Sequence, residues 1–313
     1  MKSLVNPLRF LAAVAASLSA LTAFAQTVQF FSVLKSQNSV QTDTTAVSSM
    51  PYNPAMDLYP WRFESNMNGT GLDATNPASP NRVTTPSGST TTTFDLVAPD
   101  GTHGWQYQPG FAYQTDMDPA LKNGTYSVSL ANGAATSFPI ALSGDLYPNS
   151  TTAILTGGAW VGNVYQINPV DPWTLNTGVY NTNFQWDSSR IEIDIWGGVV
   201  DFRKAAGAGP NAVPYIDSDL SASLALDSTE VGAPTFLAGY TYVVDIRFAR
   251  IVDYQPISSQ LGALADLSGA YSVGMYESSL RFSIQAIPEP SAYAAMAGVL
   301  ALGLVAWRRW RTA

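Results

Sequence analysis

The sequence predicts an all-β fold, most simply an antiparallel β-sandwich of the jelly-roll or immunoglobulin/fibronectin-like kind. Three observations lead there. Thr, Ser, Val, Tyr, Ile and Phe alternate in short runs; Gly, Pro, Asn and Asp punctuate those runs; and sustained helical periodicity is nearly absent between the two ends of the chain. Of the 313 residues, 46% are hydrophobic and 12% charged. That is too apolar for a disordered chain and well below the charge of about a quarter that ordinary domains carry. There is no Cys and one His, His103. Disulfide scaffolds, thiolate zinc sites, cysteine nucleophiles and sites needing two or more His ligands are therefore excluded.

At the N-terminus, Lys2 and Arg9 precede an apolar run over residues 11–21, and Ala23-Phe24-Ala25 has the small-x-small form of a leader-peptidase site. Residues 1–25 thus read as a secretory signal peptide removed by signal peptidase before Gln26, because the apolar run is shorter than the ~20 residues a membrane span needs. Strands are expected over 27–34, 90–97, 125–130, 137–142, 152–155, 164–167, 190–196, 220–226, 240–252 and 280–286. The Asn132-Gly133 step between 125–130 and 137–142 favours a hairpin. In 240–252, Tyr240, Tyr242, Val244, Ile246, Phe248 and Val252 share one face, with Thr241, Asp245 and Arg247 on the other. That period of two implies a sheet with one buried and one wet face.

Helix is expected over 118–122, with Pro119 at its first position and Gly124 after it, and more weakly over 260–267. Residues 36–53 and 66–93, rich in Ser, Thr, Asn, Gly and Pro, read as long surface loops. A change to denser strand spacing near 115 suggests a loop-rich N-terminal β region at 26–115 and a sandwich domain at 116–286. No internal repeat has a clear period, which argues against a solenoid or propeller.

The sharpest local pattern is Arg190-Ile191-Glu192-Ile193-Asp194-Ile195-Trp196. In a strand, Glu192, Asp194 and Trp196 lie on one face, placing two carboxylates ~7 Å apart beside an aromatic plate. These three are the candidate carbohydrate-binding residues. The run also resembles the Glu-x-Asp-x-(x)-Glu signature of laminarinase-like β-jelly-roll glycosidases, in which the first Glu is the nucleophile and the last the acid/base. Here Trp196 or Gly197 replaces the last Glu, although retaining hydrolysis needs both carboxyl groups. The ordinary explanation is a half-exposed strand with a polar outer face.

Trp61, Trp105, Trp160, Trp173, Trp186 and Trp196 offer either sugar-stacking platforms or the core and corner residues of a β-sandwich. Asp116-Met117-Asp118 and Asp217-Ser218-Asp219 have a spacing compatible with Ca²⁺, but without an EF-hand they read as turn residues. His103 lies in a Gly-rich turn with no nucleophile motif nearby. No cofactor, metal or complete catalytic set is implied.

At the C-terminus, Ile287-Pro288-Glu289-Pro290-Ser291 leads into an apolar stretch over 292–307, followed by Arg308, Arg309 and Arg311. Flanking Trp307 and Trp310 suit a membrane helix whose Arg cluster stays cytoplasmic. Triplet, span and basic tail over 287–313 together resemble the PEP-CTERM sorting signal of Gram-negative bacteria. The resemblance implies recognition by an exosortase, a membrane transpeptidase-like enzyme that cuts near the triplet, after transient residence in the inner membrane. Pro288, Glu289, Pro290 and Ser291 would then be processed residues, and the segment a transmembrane sorting helix. A plain anchor with a juxtamembrane kink is the alternative.

Removing both signals takes away Lys2, Arg9, Arg308, Arg309, Arg311 and Glu289, which moves the formal charge from −8 to −12. A surface so acidic repels nucleic acid. The expectation is an exported protein of the cell surface or extracellular matrix, with a non-enzymatic structural or adhesive role associated with exopolysaccharide or biofilm. The competing expectation is a carbohydrate-binding module or jelly-roll glycoside hydrolase centred on Glu192 and Asp194.

Overall fold

A computed structural model describes residues 27–70, 81–97, 105–130, 137–149, 151–178, 189–207, 224–256 and 271–287, with 298–302, 307–308 and 310 beyond them. In chain order the first elements are β1 (Thr27–Gln41), β2 (Val47–Ser49), β3 (Trp61–Thr70), β4 (Arg82–Thr84), β5 (Thr93–Asp95), β6 (Trp105–Tyr107), β7 (Gly110–Phe111), α1 (Gln114–Ala120), β8 (Gly124–Ser129) and β9 (Ser137–Leu142). The second half adds β10 (Ile154–Thr156), β11 (Gly158–Val161), β12 (Val164–Ile167), β13 (Thr174–Asn176), β14 (Ser189–Gly197), β15 (Val200–Gly207), β16 (Ala225–Asp227), β17 (Thr241–Pro256) and β18 (Tyr271–Ala286). The all-β class is thereby shown.

The strands form one 11-stranded sheet and two small ones. The main path of the large sheet runs β15-β14-β17-β18-β1-β3-β6; the small sheets run β10-β13-β16 and β5-β4-β8-β9. Strand β18 is its spine. It pairs antiparallel with β17 along one side, and on the other it runs parallel first to β1 and then to β12. The large sheet is therefore mixed, where a purely antiparallel one was expected, because the first and last long strands of the described body lie side by side in the same direction.

Both small sheets cover the same face of the large one, each over its own core. Phe31, Val33, Phe63 and Tyr276 of the large sheet meet Val83, Tyr126, Val128 and Ile140 of the four-stranded sheet. Ile191, Ile193, Ile195, Val244, Ile246, Phe248, Phe282 and Ile284 meet Leu175 and Leu226 of the three-stranded sheet, joined by Trp173 and Phe236. Full burial of such side chains stabilises by roughly 1.5–3 kcal/mol each. Strands on both sides of residue 115 pair within the large sheet and within the β4/β5/β8/β9 sheet, so the position expected as a boundary is crossed by hydrogen bonds in both.

Several local expectations change. Residues 36–41 continue β1, and 47–49, 61–70 and 82–84 are strands, where loop or no element was expected. The reason for the first is long-range. Gln41, fully buried, accepts from the Ala153 backbone N–H (2.7 Å) and donates to its carbonyl (3.0 Å), while Lys35, fully buried, reaches Asp118 at 2.8 Å. The helix spans Gln114–Ala120, so Pro119 sits in its last turn and not at its first position. Met117 and Leu121, both fully buried in the second core, require the turn before Pro119 to be helical. Tyr240 precedes β17 and is 49% exposed, off the apolar face to which its spacing assigned it. Strands β8 and β9 pair in hairpin register from Ser129↔Ser137 onward. The 131–136 turn, residues 220–223, the 260–267 helix, Asp217, Asp219, His103 and Trp186 lie outside the described residues. No helix among the described residues is long and apolar enough to cross a membrane.

Candidate functional site

The face of the large sheet opposite the two cores is charged, and it contains the run singled out from the sequence. Ile191, Ile193 and Ile195 point into the core with no exposed surface, so alternation sends Glu192, Asp194 and Trp196 to the other side. Strands β14 and β15 are joined by the two-residue loop Gly198-Val199, with Gly198 at φ 58°, a conformation this hairpin length favours in glycine. That register places Arg203 beside Asp194 and Asp201 beside Trp196. On the other flank, β17 places Arg247 beside Glu192 and Asp245 beside Asp194. One strand further, Arg281 of β18 stands beside Asp245.

Acidic and basic side chains thus interleave across four strands, with the adjacent carboxylates Asp194 and Asp245 flanked by Arg203 and Arg281. Arg203 Nε lies 2.9 Å from Asp194 and 3.2 Å from Glu192. Arg247 reaches Asp194 at 3.2 Å, Asp245 at 3.6 Å and Glu192 at 3.7 Å. Arg281 reaches Asp245 at 3.1 Å and stacks over the Trp196 ring at 5.4 Å from its centroid. Arg190 closes the lattice on Glu192 from within β14. Glu192 and Asp194 are 4% and 7% exposed, so the outer face expected to be wet at these carboxylates is covered there by guanidinium groups.

Titration follows from this packing. Burial raises the Glu192 carboxyl, with Arg190 opposing it and Asp194 adding to it. Burial works against the charge of Arg247, but Glu277, Asp245, Asp194 and Glu192 outweigh it and hold that guanidinium above its ordinary value. Burial pushes Glu277 of β18 up to about 8, opposed by Arg247 and reinforced by Glu64, Asp245 and Glu192.

The lattice borders two depressions that share Arg247. One, about 510 Å³ and open, is lined by Asp194, Trp196, Asp201, Arg203 and Arg247. The other is a narrower cavity of about 70 Å³ between β17, β18, β1, β3 and the segment 50–60 that folds over them. Three guanidinium and four carboxyl groups line it, with Tyr59 at its rim. Asn38 donates to the Tyr59 carbonyl at 2.8 Å, and Arg62 pairs with Asp57 at 2.7 Å, which fixes that segment in place.

The structure therefore brings Glu192, Asp194 and Trp196 together as the sequence pattern required, and adds Arg203, Arg247, Arg281, Arg62 and Tyr59. Only Arg247 had a local signal, its place on the outer face of an alternating strand. The other tryptophans described with their side chains are packing residues. Trp173 is 4% exposed in the first core; Trp160 meets Tyr165 and Phe282, and Trp61 meets Tyr147, edge to face. Asp118 of the Asp116-Asp118 pair sits in α1 and binds Lys35. Among the described residues no group of three or more His, Asp or Glu is placed to hold a metal ion. Pro288, Glu289, Pro290, Ser291, Arg309 and Arg311 lie outside the described residues, and Arg308 is an exposed helical residue. No protein-family model matches the chain, and no curated protein matches it.

Proposed function

We propose that the chain is an exported, non-enzymatic protein of the bacterial cell surface or extracellular matrix, delivered through the inner membrane and cut by an exosortase at Pro288-Glu289-Pro290. The observation that carries this reading is where the last strand of the large sheet ends. Strand β18 is paired through Ala286, and the Ile287 N–H donates to the Ile167 carbonyl at 2.9 Å. The triplet begins at the next residue. A sorting enzyme working at the membrane would meet a motif that follows the last paired strand by one residue in the sequence. In this reading the layered sheets are a β-sandwich of jelly-roll or immunoglobulin-like descent, and 292–307 is the transient membrane helix.

A non-enzymatic role agrees with the chemistry of the charged face. A retaining glycosidase needs one open nucleophilic carboxylate and one protonated acid. Asp194 is held by Arg203 and Arg247, Glu192 is buried among three arginines, and position 196 carries an indole. Such a lattice holds its strands in register and presents hydrogen-bonding groups. Expression in a host with an exosortase should give a processed form that Pro288→Ala with Glu289→Ala abolishes. Equal processing of the double variant would refute the sorting assignment.

A further inference from the structure

The end of the large sheet from which the chain leaves toward its C-terminus exposes apolar side chains. β17 begins at that end, with Thr241 opposite Gln285, and β12 finishes there, with Ile167 opposite Ala286. β14 and β15 turn around at the same end through Gly198-Val199, since Trp196 pairs with Val243 near the start of β17. Backbone hydrogen bonds join these strand ends into one row. The Gly239 N–H donates to the Ala286 carbonyl at 2.7 Å, the Ala286 N–H to the Tyr240 carbonyl at 3.0 Å, and the Ile287 N–H to the Ile167 carbonyl at 2.9 Å. A Cβ added at Gly198 would lie 3.2 Å from the Tyr240 ring, so the hairpin tip adjoins that ring.

Along this row Val199 is 78% exposed, Val170 74%, Tyr240 49% and Leu237 40%. Leu237 is tied to Tyr240 by a backbone bond of 3.3 Å, and Val170 sits in the turn that Asp171 closes on Asn168 just after β12. The three steps from β14 through β17 and β18 to β12 span roughly 14 Å at the usual strand spacing. The charges interspersed here are acidic: Asp171 and Asp201 are exposed, and among the described residues no Lys or Arg occupies the last two registers of β12, β14, β15, β17 or β18 at this end. The sequence supplies the occupant. Five residue steps after Ile287 the apolar stretch 292–307 begins, and five steps reach at most about 18 Å when fully extended. With 292–307 in a bilayer whose headgroup layer is roughly 6 Å deep, Ile287 lies no more than about 12 Å outside that layer.

We propose that this end of the sheet, with Val199, Tyr240, Leu237 and Val170 at its rim, docks on the surface of a zwitterionic bilayer while the chain is uncut. Exposed apolar tips gain by entering the headgroup boundary, and a tyrosine ring with its hydroxyl suits that depth. Asp171 and Asp201, without basic residues beside them, give anionic lipid no attraction. The short tether keeps the membrane at high effective concentration, which favours it over a second copy of the chain as the occupant. The inference rests on the reading of 292–307 as the transient membrane helix, and the test separates the failure of that reading from the failure of docking.

Because the chain has no Cys, single fluorophores can be placed by Thr241→Cys, beside the docking end, and by Tyr254→Cys, near the opposite end of β17 about 40 Å away. The labelled full chain is reconstituted in phosphatidylcholine vesicles carrying headgroup nitroxides. Quenching at position 241 is expected to exceed that at 254 at least twofold, and to fall by at least half when Val170→Asp and Val199→Asp are combined in the same chain. The unfolding midpoint of each variant shows whether it is folded. A chain that does not float with the vesicles would refute the membrane helix and docking together. Flotation with equal quenching at the two positions, or with quenching at 241 undiminished in the folded double variant, would leave the helix standing and overturn docking alone. Stronger quenching in vesicles of equal parts phosphatidylcholine and phosphatidylglycerol, or shielding of the 241 label that rises with protein concentration in place of quenching by lipid, would also overturn it.

Discussion

Replacing Arg247 by Met removes the hub of the charged lattice while keeping most of the side-chain volume. Arg247 is within 4 Å of Glu192, Asp194 and Asp245, and it is the basic group that favours ionisation of Glu277 against the burial that raises it. Breaking a buried pair by deleting one partner costs about 3–5 kcal/mol. Two features reduce that figure. The Arg247 side chain is 36% exposed, and each contacted carboxylate keeps another guanidinium: Arg190 and Arg203 on Glu192, Arg203 on Asp194, Arg281 on Asp245. A loss of about 2 kcal/mol at pH 8.5 is the reasoned value. With an m-value of roughly 3 kcal/mol/M, this lowers the urea midpoint by about 0.7 M.

The sign of the pH dependence is fixed by Glu277. Its folded-state value is raised from 4.5 to about 8, so its contribution is intact below the lower value and is lost as pH rises through the higher one. Removing Arg247 raises the Glu277 carboxyl further, so the penalty grows with pH across the same window. At pH 5, where Glu277 is protonated in the folded chain, the penalty should be smaller than at pH 8.5. Urea titrations of wild type and Arg247→Met at pH 5 and pH 8.5, followed by tryptophan fluorescence, read both quantities. A variant as stable as wild type at pH 8.5, or one hurt more at pH 5, would refute the description of this face as a charge-balanced lattice.

Three further substitutions test the covered face. An added Cβ at Gly274 would stand 2.3 Å from the Ala141 carbonyl oxygen, where β9 crosses the bulge in β17, so Gly274→Ala should destabilise by about 2 kcal/mol or more in the same titration. Lys35 has no exposed side-chain surface and its 2.8 Å partner Asp118 is 36% exposed. Lys35→Met should be within about 1 kcal/mol of wild type or more stable, whereas Asp118→Ala, which strands a buried ammonium, should cost about 2–3 kcal/mol. The reverse order would contradict the pairing.

What was readable in advance was what local alternation controls. The Ile191/Glu192 period assigned each side chain of β14 to its face, and the even-numbered apolar residues from Tyr242 to Phe248 did the same for β17. What stayed hidden depends on partners distant in the chain. Glu192 and Asp194 look like wet carboxylates until β15 and β17 bring Arg203 and Arg247 over them. Residues 36–41 look like a polar loop because their pairing is with β18, more than two hundred residues away, and a buried glutamine there has its partner in Ala153. Proline preference for a first helical turn misplaced α1, since burial of Met117 and Leu121 outweighs it. The parallel pairing of β1 with β18 has no local signature at all.

The central claim is that the chain is exported and cut at the triplet that follows the last strand, β18. Intact-mass spectrometry of the mature protein, recovered outside the inner membrane of an exosortase-bearing Gram-negative host, tests it most directly. The account predicts a species that begins at Gln26 and ends near Pro288. A mature species that retains Arg308, Arg309 and Arg311 would contradict it.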